Sequence, residues 1–284
     1  CPKDIVAAVS GHIAGDIRVG TSGWHYPGGA GTWNGPFYPK PRPRGFDELR
    51  FYAERFSTVE INATFYRPPE AGTTRGWVER TPDGFLFAAK LFQKFTHPDM
   101  YLTARAERGL AARANDWDVT PGDVDQFRAG LEPIAAAGRL GALLVQFPAS
   151  FHATDATRDY LTWLLAAFQA YPLAVEFRHA SWREDPAATR ARLDDARAAW
   201  VAIDEPFAEF QRANVPEFQG AKVPLRYIRL HGRNKANWWA RGRSEDRYDY
   251  LYTAEELQPF ADAAREEAAL EKRVLVYFNN HFSV

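Results

Sequence analysis

Short runs of β-branched and other apolar residues alternate along the chain with longer stretches rich in Ala, Leu, Glu and Arg. The runs predict eight strands: Ile17–Thr21, Thr58–Asn62, Phe85–Lys90, Ala142–Phe147, Leu173–Arg178, Trp200–Asp204, Arg226–His231 and Arg273–Asn279. The stretches predict six main helices: Phe46–Phe56, Thr73–Thr81, Val124–Gly138, Thr157–Tyr171, Pro186–Ala199 and Thr253–Leu270. Two start signals support them, because Pro186 suits a first helical position and Thr253–Glu256 forms a capping box.

This alternation implies right-handed crossovers between parallel strands, and eight repeats imply a closed (β/α)8 barrel of the TIM type. We predict one barrel domain over residues 1–284, with the barrel beginning at about residue 17. A doubly wound open sheet is the alternative. The segment Gly28-Gly29-Ala30-Gly31 does not match the dinucleotide-binding fingerprint, so no motif predicts a nucleotide cofactor. Since the chain stops at Val284, we expect the final helix of the barrel to be missing.

Alternation within each strand predicts which side chains face the barrel interior, because the helix-facing positions must be apolar. In the seventh predicted strand Ile228 and Leu230 are apolar and face the helices. Tyr227, Arg229 and His231 therefore face inward. The same test directs polar side chains inward at or near the ends of the other strands: Glu60, Asn62, Lys90, Gln146, Glu176, Arg178, Asp204 and Asn279.

Active sites of TIM barrels lie at this carboxyl end of the strands. Burying an unpaired charge costs several kcal/mol, so such a ring of charges must be paired, hydrated or used in function. The structural alternative is a self-neutral network of three carboxylates and three cations: Glu60, Glu176 and Asp204 with Lys90, Arg178 and Arg229. We favour a functional interpretation, because a purely stabilising network would suit the other end of the barrel equally well.

Paired carboxylates beside lysine and histidine suit general acid–base catalysis, since neighbouring groups can separate their pKa values. The predicted catalytic residues are Glu60, Lys90, Glu176, Asp204 and His231. The same carboxylates and His231 could instead hold a divalent metal. The nearby cations weigh against a metal, because they compete for Glu60, Glu176 and Asp204.

The cations favour an anionic ligand held by arginine, and aromatic side chains near the strand ends suit stacking. Residues 231–243 interleave basic residues with Trp238 and Trp239, a pattern typical of single-stranded nucleic-acid binding. A lid of packed tryptophans is the alternative. The predicted ligand-binding residues are Trp24, Asn62, Tyr66, Gln146, Arg178, His179, Arg229, Arg233, Trp238 and Asn279.

The composition argues against several classes of protein. With 35 Lys+Arg against 36 Asp+Glu, the net charge is −1, which argues against a general nucleic-acid binder but permits a local basic patch. The single cysteine, Cys1, excludes an internal disulfide. No apolar run approaches the ~20 residues of a membrane helix, so we predict a cytoplasmic protein without a membrane partner. His97, in the long loop after the third strand, is expected to be a surface histidine.

Several ordered motifs carry a family resemblance: Val19-Gly-Thr-Ser-Gly-Trp24, Phe37-Tyr-Pro39, Phe51-Tyr-Ala53, Thr58–Arg67, Thr96-His97, Leu143–Pro148, Ala174–Trp182, Tyr227–Arg233 and Tyr277–His281. The sequence resembles the YecE-like family, domain of unknown function 72. The resemblance implies a TIM-barrel fold and no established reaction. Fold analogy alone relates it to metal-dependent barrels. The family's usual Ala/Asn-rich tail is absent after His281.

Three functions remain open from the sequence. The first is an enzyme that acts on a phosphorylated or nucleotide-like substrate by acid–base or metal-assisted hydrolysis. The second is a non-catalytic module that binds single-stranded nucleic acid through residues 231–243. The third is a carbohydrate-acting hydrolase or isomerase with two carboxylates ~5–9 Å apart, although a neutral sugar has no need of the cations.

Overall fold

The computed structural model of the chain describes residues 15–28, 31–107, 109, 118–206, 222–238, 248–270 and 272–280. Within these ranges the strands are β1 Asp16–Thr21, β2 Thr58–Ile61, β3 Leu86–Lys90, β4 Leu140–Gln146, β5 Leu173–Glu176, β6 Ala198–Trp200, β7 Ala202–Asp204, β8 Leu225–Leu230 and β9 Arg273–Phe278. The helices are α1 Glu48–Ala53, α2 Ala63–Tyr66, α3 Ala71–Glu79, α4 Gln93–Thr96, α5 Pro98–Glu107, α6 Pro121–Ala136, α7 Asp155–Ala167, α8 Ser181–Glu184, α9 Pro186–Asp195 and α10 Ala254–Ala269.

All eight predicted strands and all six main predicted helices are present, with ends that differ by a few residues. The predicted strand Trp200–Asp204 is two short strands, β6 and β7, separated by Val201. The predicted start signals are confirmed: Pro186 begins α9, and Thr253 caps α10 with Glu256 as its reciprocal partner. Helices α2, α4, α5 and α8 are not among the predicted elements. Three of these have only four residues, too few to show a helical period.

The chain divides into two compact units. The first comprises Cys1–Glu60, Asp83–Phe85 and Val201–Val284, and its sheet has the order β1-β9-β8-β7 with parallel pairing throughout. Helix α10 packs on this sheet in an apolar cluster that includes Ile228 and Leu230. This packing confirms that these two residues face the helix layer, as their alternation predicts.

In the first unit, aromatic side chains fix the segment between β1 and β2. Trp33 is buried and stacks on Tyr52 at a centroid distance of 6.4 Å. The Tyr52 hydroxyl accepts a hydrogen bond from Thr21 N at 2.9 Å and donates one to Thr58 O at 3.1 Å. The segment is therefore attached to the end of β1 and the start of β2.

The second unit comprises Ile61–Pro82 and Leu86–Trp200. The second sheet has the order β2-β3-β4-β5-β6, and its pairings from β3 to β6 are parallel. Helices α3 and α6 are in contact, since the hydroxyl of Thr74 in α3 donates a hydrogen bond to the carbonyl oxygen of Gly130 in α6 at 2.7 Å. Phe95, Phe127 and Phe168 pack edge to face in its core.

The architecture is thus α/β with parallel sheets. Among the residues described above, no helix has the length and apolarity needed to cross a bilayer. Two sequence-based expectations lie outside the described residues: the role of Trp239, and the missing final helix, which concerns the chain after Asn280.

Candidate functional site

Polar side chains stand at the carboxyl ends of the strands, as predicted. Lys90, Gln146, Glu176 and Asp204 are the last residues of β3, β4, β5 and β7. Asn62, His231 and Asn279 directly follow β2, β8 and β9. Two clusters of these side chains lie in the first unit and one lies in the second.

The first cluster surrounds Glu60, which has no solvent-exposed surface. Arg229 donates to both carboxylate oxygens, from Nε to Oε2 at 2.9 Å and from Nη2 to Oε1 at 2.8 Å. The Tyr227 hydroxyl donates to Oε2 at 2.7 Å, and the Ser22 hydroxyl donates to Oε1 at 2.8 Å. Four protein donors therefore satisfy the carboxylate, and burial followed by the charge of Glu60 raises the pKa of Tyr227 well above its ordinary value.

His231 continues this cluster. Its ring is fully buried, with Nε2 3.5 Å from Arg229 Nη1 and Nδ1 2.9 Å from Asn279 Nδ2. The backbone N–H of Asn279 donates to Leu230 O at 2.8 Å, which fixes the residue beside β8. The predicted residues Glu60, Arg229, His231 and Asn279 thus form one continuous row of contacts.

The second cluster surrounds Asp204, which is also fully buried. Arg233 Nε donates to Oδ2 at 2.8 Å and Nη2 donates to Oδ1 at 2.9 Å. The Tyr252 hydroxyl donates to Oδ2 at 2.7 Å and accepts from Gly232 N at 2.8 Å. The hydrogen bond to Asp204 raises the pKa of Arg233, while burial, followed by the charge of Asp204, raises that of Tyr252. Glu256 adds a second ion pair to Arg233 at 3.3 Å.

The third cluster, in the second unit, lies at the ends of β3, β4 and β5. Gln146 and Glu176 are register partners, and Arg178 Nε donates to Glu176 Oε1. Lys90 Nζ lies 4.1 Å from the centroid of the Phe65 ring. Because α2 begins directly after β2, it brings Phe65 to the end of β3, where the Thr64 hydroxyl donates to Lys90 O at 2.7 Å.

His97 belongs to this third cluster, and the expectation that it is a surface histidine is wrong. Its ring is 8% exposed and lies edge-on to Phe65, with centroids 5.0 Å apart. The missed helix α4 follows β3, and the buried His97 is its C-cap residue. Burial and the charges of Lys90 and Arg178 together lower the pKa of His97 to about 4, although the charge of Glu176 opposes them. His97 is therefore a neutral imidazole at pH 7.

Four predicted ligand-binding residues of the second unit lie beside the ends of β2, β4 and β5. Tyr66 is 59% exposed, and its ring lies edge-on to Phe65 at 5.2 Å. Asn62 and Gln146 are half-buried. The ring of His179 stacks on His152 at 3.7 Å. Of these residues, Tyr66 offers an exposed aromatic surface next to the ring that contacts both Lys90 and His97.

The two predicted stacking tryptophans of the first unit differ in exposure. Trp24 is half-buried, and its carbonyl accepts a hydrogen bond from the Tyr38 hydroxyl. Trp238 is buried and lies edge-on to Tyr248 at a centroid distance of 6.3 Å. The contacts of Trp238 are those of a packed side chain, the alternative that the sequence left open.

A divalent metal does not fit the carboxylates as they stand. In the part of the chain that the structure describes, no three His, Cys, Asp or Glu side chains are grouped to hold a metal ion. Both oxygens of Glu60 and of Asp204 accept hydrogen bonds from arginine.

Sequence reasoning missed several of the contacting residues. Phe65, Tyr252 and Glu256 are outside the strands, where alternation gives no signal. His97 had one signal, since Thr96-His97 is among the motifs that carry the family resemblance. The Thr96 hydroxyl lies 2.8 Å from His97 Nδ1 and orients the ring.

The family model described as "Protein of unknown function DUF72" matches residues 18–284. The chain belongs to this family. The match confirms the resemblance that the sequence motifs carry. A curated relative, the UPF0759 protein YunF of Bacillus subtilis (strain 168), is 28% identical over 272 residues, which cover 93% of this chain and 89% of YunF.

Solved structures of DUF72 proteins agree with the fold. A protein from Enterococcus faecalis V583 superposes with a TM-score of 0.73 at 24% identity, covering 93% of this chain and 89% of that one. A protein from Thermotoga maritima MSB8 superposes with a TM-score of 0.70 at 29% identity, covering 94% of both chains. These similarities establish the α/β fold and leave the activity of the DUF72 chain to be argued from its residues.

Proposed function

We propose that this DUF72 protein is an enzyme that hydrolyses a small phosphorylated or nucleotide-like substrate by acid–base chemistry. One observation carries the proposal: Lys90, Arg178 and Glu176 act electrostatically on a single buried histidine at the ends of neighbouring strands. Perturbed titratable groups gathered at strand ends are typical of catalytic sites.

The charges of this third cluster favour an anionic ligand. Lys90 and Arg178 carry +2 and Glu176 carries −1, so the three sum to +1. A phosphate group carries between one and two negative charges at pH 7, and arginine and lysine are its usual partners in proteins. Neutral His97 adds a hydrogen-bonding group without further positive charge.

Hydrolysis needs a proton acceptor and a proton donor. In the proposed reaction Glu176 accepts a proton from water as the water oxygen bonds to phosphorus. The ester P–O bond breaks, and the leaving oxygen takes a proton from the ammonium group of Lys90. Arg178 stabilises the negative charge on the phosphoryl oxygens. Asn62, Gln146 and His179 would contact the rest of the ligand, and the exposed ring of Tyr66 would stack on it.

In this proposal the two clusters of the first unit hold side chains in fixed positions. Glu60 and Asp204 hold Arg229 and Arg233 in fixed positions through paired hydrogen bonds. The catalytic roles of Glu60, Asp204 and His231 stay predictions, as do the ligand contacts of Trp24, Arg229, Arg233, Trp238 and Asn279. The single closed barrel over residues 1–284 and the cytoplasmic location also stay proposals.

Release of phosphate from a panel of mononucleotides, sugar phosphates and aryl phosphates tests this function. We expect turnover by the wild type and at least a hundredfold loss in Glu176→Gln, with an unchanged circular dichroism spectrum. Glu184→Gln is the matched control, because Glu184 is an exposed glutamate of α8 in the same unit. Lys90→Gln should weaken binding of inorganic phosphate as well as turnover. Full activity of Glu176→Gln would remove the assignment.

The nucleic-acid alternative receives no support from the described part of residues 231–243. Arg233 is held by Asp204 and Glu256, and Trp238 is packed against Tyr248. A fluorescence titration with single-stranded oligonucleotides distinguishes the two proposals. Tight, salt-dependent binding without phosphate release would favour the binding module over the enzyme.

A further inference from the structure

A pocket of about 300 Å³ opens in the first unit, in the segment between β1 and α1. Its lining combines two prolines, one glycine, two neutral polar residues and two cations: Pro27, Pro39, Gly28, Thr32, Asn34, Lys40 and Arg42. This volume is at the lower end of the range for small-molecule sites. The strand-end clusters described above contribute no residue to this lining.

Backbone and side-chain hydrogen bonds preform the walls of the pocket. Asn34 Nδ2 donates to Pro27 O at 2.6 Å, and the Thr32 hydroxyl donates to Tyr26 O at 3.2 Å. Tyr38 N donates to Trp33 O at 2.8 Å, and both of these aromatic side chains are buried. The lining residues are therefore attached to an aromatic core, and a ligand would meet a surface that needs little reorganisation.

Arg42 has a fixed orientation at the pocket wall. Its Nε donates to Asn34 Oδ1 at 3.1 Å, and its guanidinium carbon lies 5.6 Å from the ring centroids of both Tyr38 and Phe46. Nη2 pairs with Glu48, which does not line the pocket. A guanidinium held in this way loses little conformational entropy when it binds an anion.

Lys40 gives the pocket a positive charge beyond that of Arg42, which is paired with Glu48. The side chain of Lys40 is exposed, and it forms no ion pair within the described residues. Among the described residues, the lining contains Lys40 and Arg42 but no carboxylate, so the polar part of the pocket matches an anion. The pocket is larger than a phosphate ion, and Pro27 and Pro39 supply apolar lining.

We propose that this pocket is a second binding site, separate from the strand ends, for a small phosphorylated metabolite. The phosphate group binds Lys40 and Arg42, and the body of the molecule lies between Pro27 and Pro39. The amide of Asn34 and the hydroxyl of Thr32 serve hydroxyl groups of the ligand.

Titration of the full chain with inorganic phosphate and with glucose 6-phosphate tests this site. The Lys90→Gln background weakens the binding expected at the strand ends. In this background we expect glucose 6-phosphate to bind more tightly than phosphate, and Lys40→Ala to weaken binding about tenfold. Arg44→Ala is the matched control, because it removes an exposed cation from the same segment but outside the pocket lining. It should change the affinity less than twofold.

Backbone chemical shifts locate the binding. Perturbations centred on residues 27–42 support the pocket, and perturbations centred on Lys90 and His97 alone overturn it while supporting the strand-end site. Equal losses in Lys40→Ala and Arg44→Ala would also overturn it, since they indicate diffuse attraction to a basic surface. Absence of binding at millimolar ligand in the Lys90→Gln background would overturn it outright.

Discussion

Arg229 and Glu60 form a two-point ion pair in the first unit, with Nε–Oε2 and Nη2–Oε1 distances of 2.9 and 2.8 Å. Both side chains are at most 2% exposed. Removing two charges from water costs several kcal/mol per ion, and their attraction repays this cost only when the hydrogen bonds are complete. Tyr227 and Ser22 complete them. The pair therefore positions the ends of β2 and β8 more than it adds net stability.

Removing one partner of this pair should be strongly destabilising. Arg229→Met leaves the buried carboxylate of Glu60 without its counter-ion, so we expect the free energy of unfolding to fall by about 3–5 kcal/mol. Urea denaturation measures the loss. The double variant Glu60→Gln/Arg229→Met should lose less than the sum of its two single variants.

Arg158→Met provides the control for charge removal. Arg158 pairs with Asp155 on the surface of α7 at 3.1 Å, and Asp155 is fully exposed. Its unfolding curve should overlie that of the wild type. If Arg229→Met were as mild as this control, water would have to reach Glu60 in solution.

Two neighbouring tyrosines should differ in their contribution to stability. Tyr252→Phe removes a hydroxyl that donates to Asp204 and accepts from Gly232 N, so two buried groups lose a partner. We expect a loss of about 1–3 kcal/mol in thermal or urea unfolding. Tyr250→Phe removes one hydrogen bond, to Glu256, at a half-buried position where water can replace it. A larger effect of Tyr250→Phe would contradict this account.

Strand alternation accounts for what the sequence could predict. It directed Glu60, Tyr227 and Arg229 inward, and these three side chains are in contact. Two-residue alternation fixes the direction of a side chain as soon as one face is apolar. It also placed Ile228 and Leu230 on the helix-facing side, where α10 covers them.

Pairing of the charges could not be predicted in the same way. In the self-neutral network considered from the sequence, the cations were Lys90, Arg178 and Arg229. In the structure, Asp204 is instead paired with Arg233. Arg233 lies beyond the end of β8, where no period constrains the direction of a side chain. His97 was misplaced for a related reason, because the four residues of α4 are too few to show a helical period, and the segment was interpreted as a loop.

A close approach in the second unit makes one glycine irreplaceable. A Cβ atom at Gly130 in α6 would lie 2.0 Å from Pro69 O, so the helix would have to move. Gly130→Ala should therefore lower the free energy of unfolding by at least about 1–3 kcal/mol. Gly76→Ala in α3 is the matched control, because nothing lies within 4 Å of its added Cβ. Alanine there should raise stability by about 0.5–1 kcal/mol in urea unfolding.

Titration of His97 should make stability depend on pH. Its pKa is about 4 when folded, against an ordinary value of 6.5, so the unfolded chain binds the proton more readily. The resulting contribution to stability is complete above about pH 7 and is lost progressively between pH 6.5 and about pH 4. Between pH 7 and pH 5 the loss is on the order of 2 kcal/mol.

Other groups also titrate in this range, and the His97→Gln variant separates their effect. Urea unfolding of the wild type and the variant at pH 7, 6 and 5 measures the difference between their free energies of unfolding. We expect this difference to shrink or reverse toward pH 5. A pH-independent difference would mean that His97 is protonated to the same degree in both states. That result would contradict its desolvation beside Lys90 and Arg178, because a solvated imidazole would titrate near its ordinary pKa in both the folded and the unfolded chain.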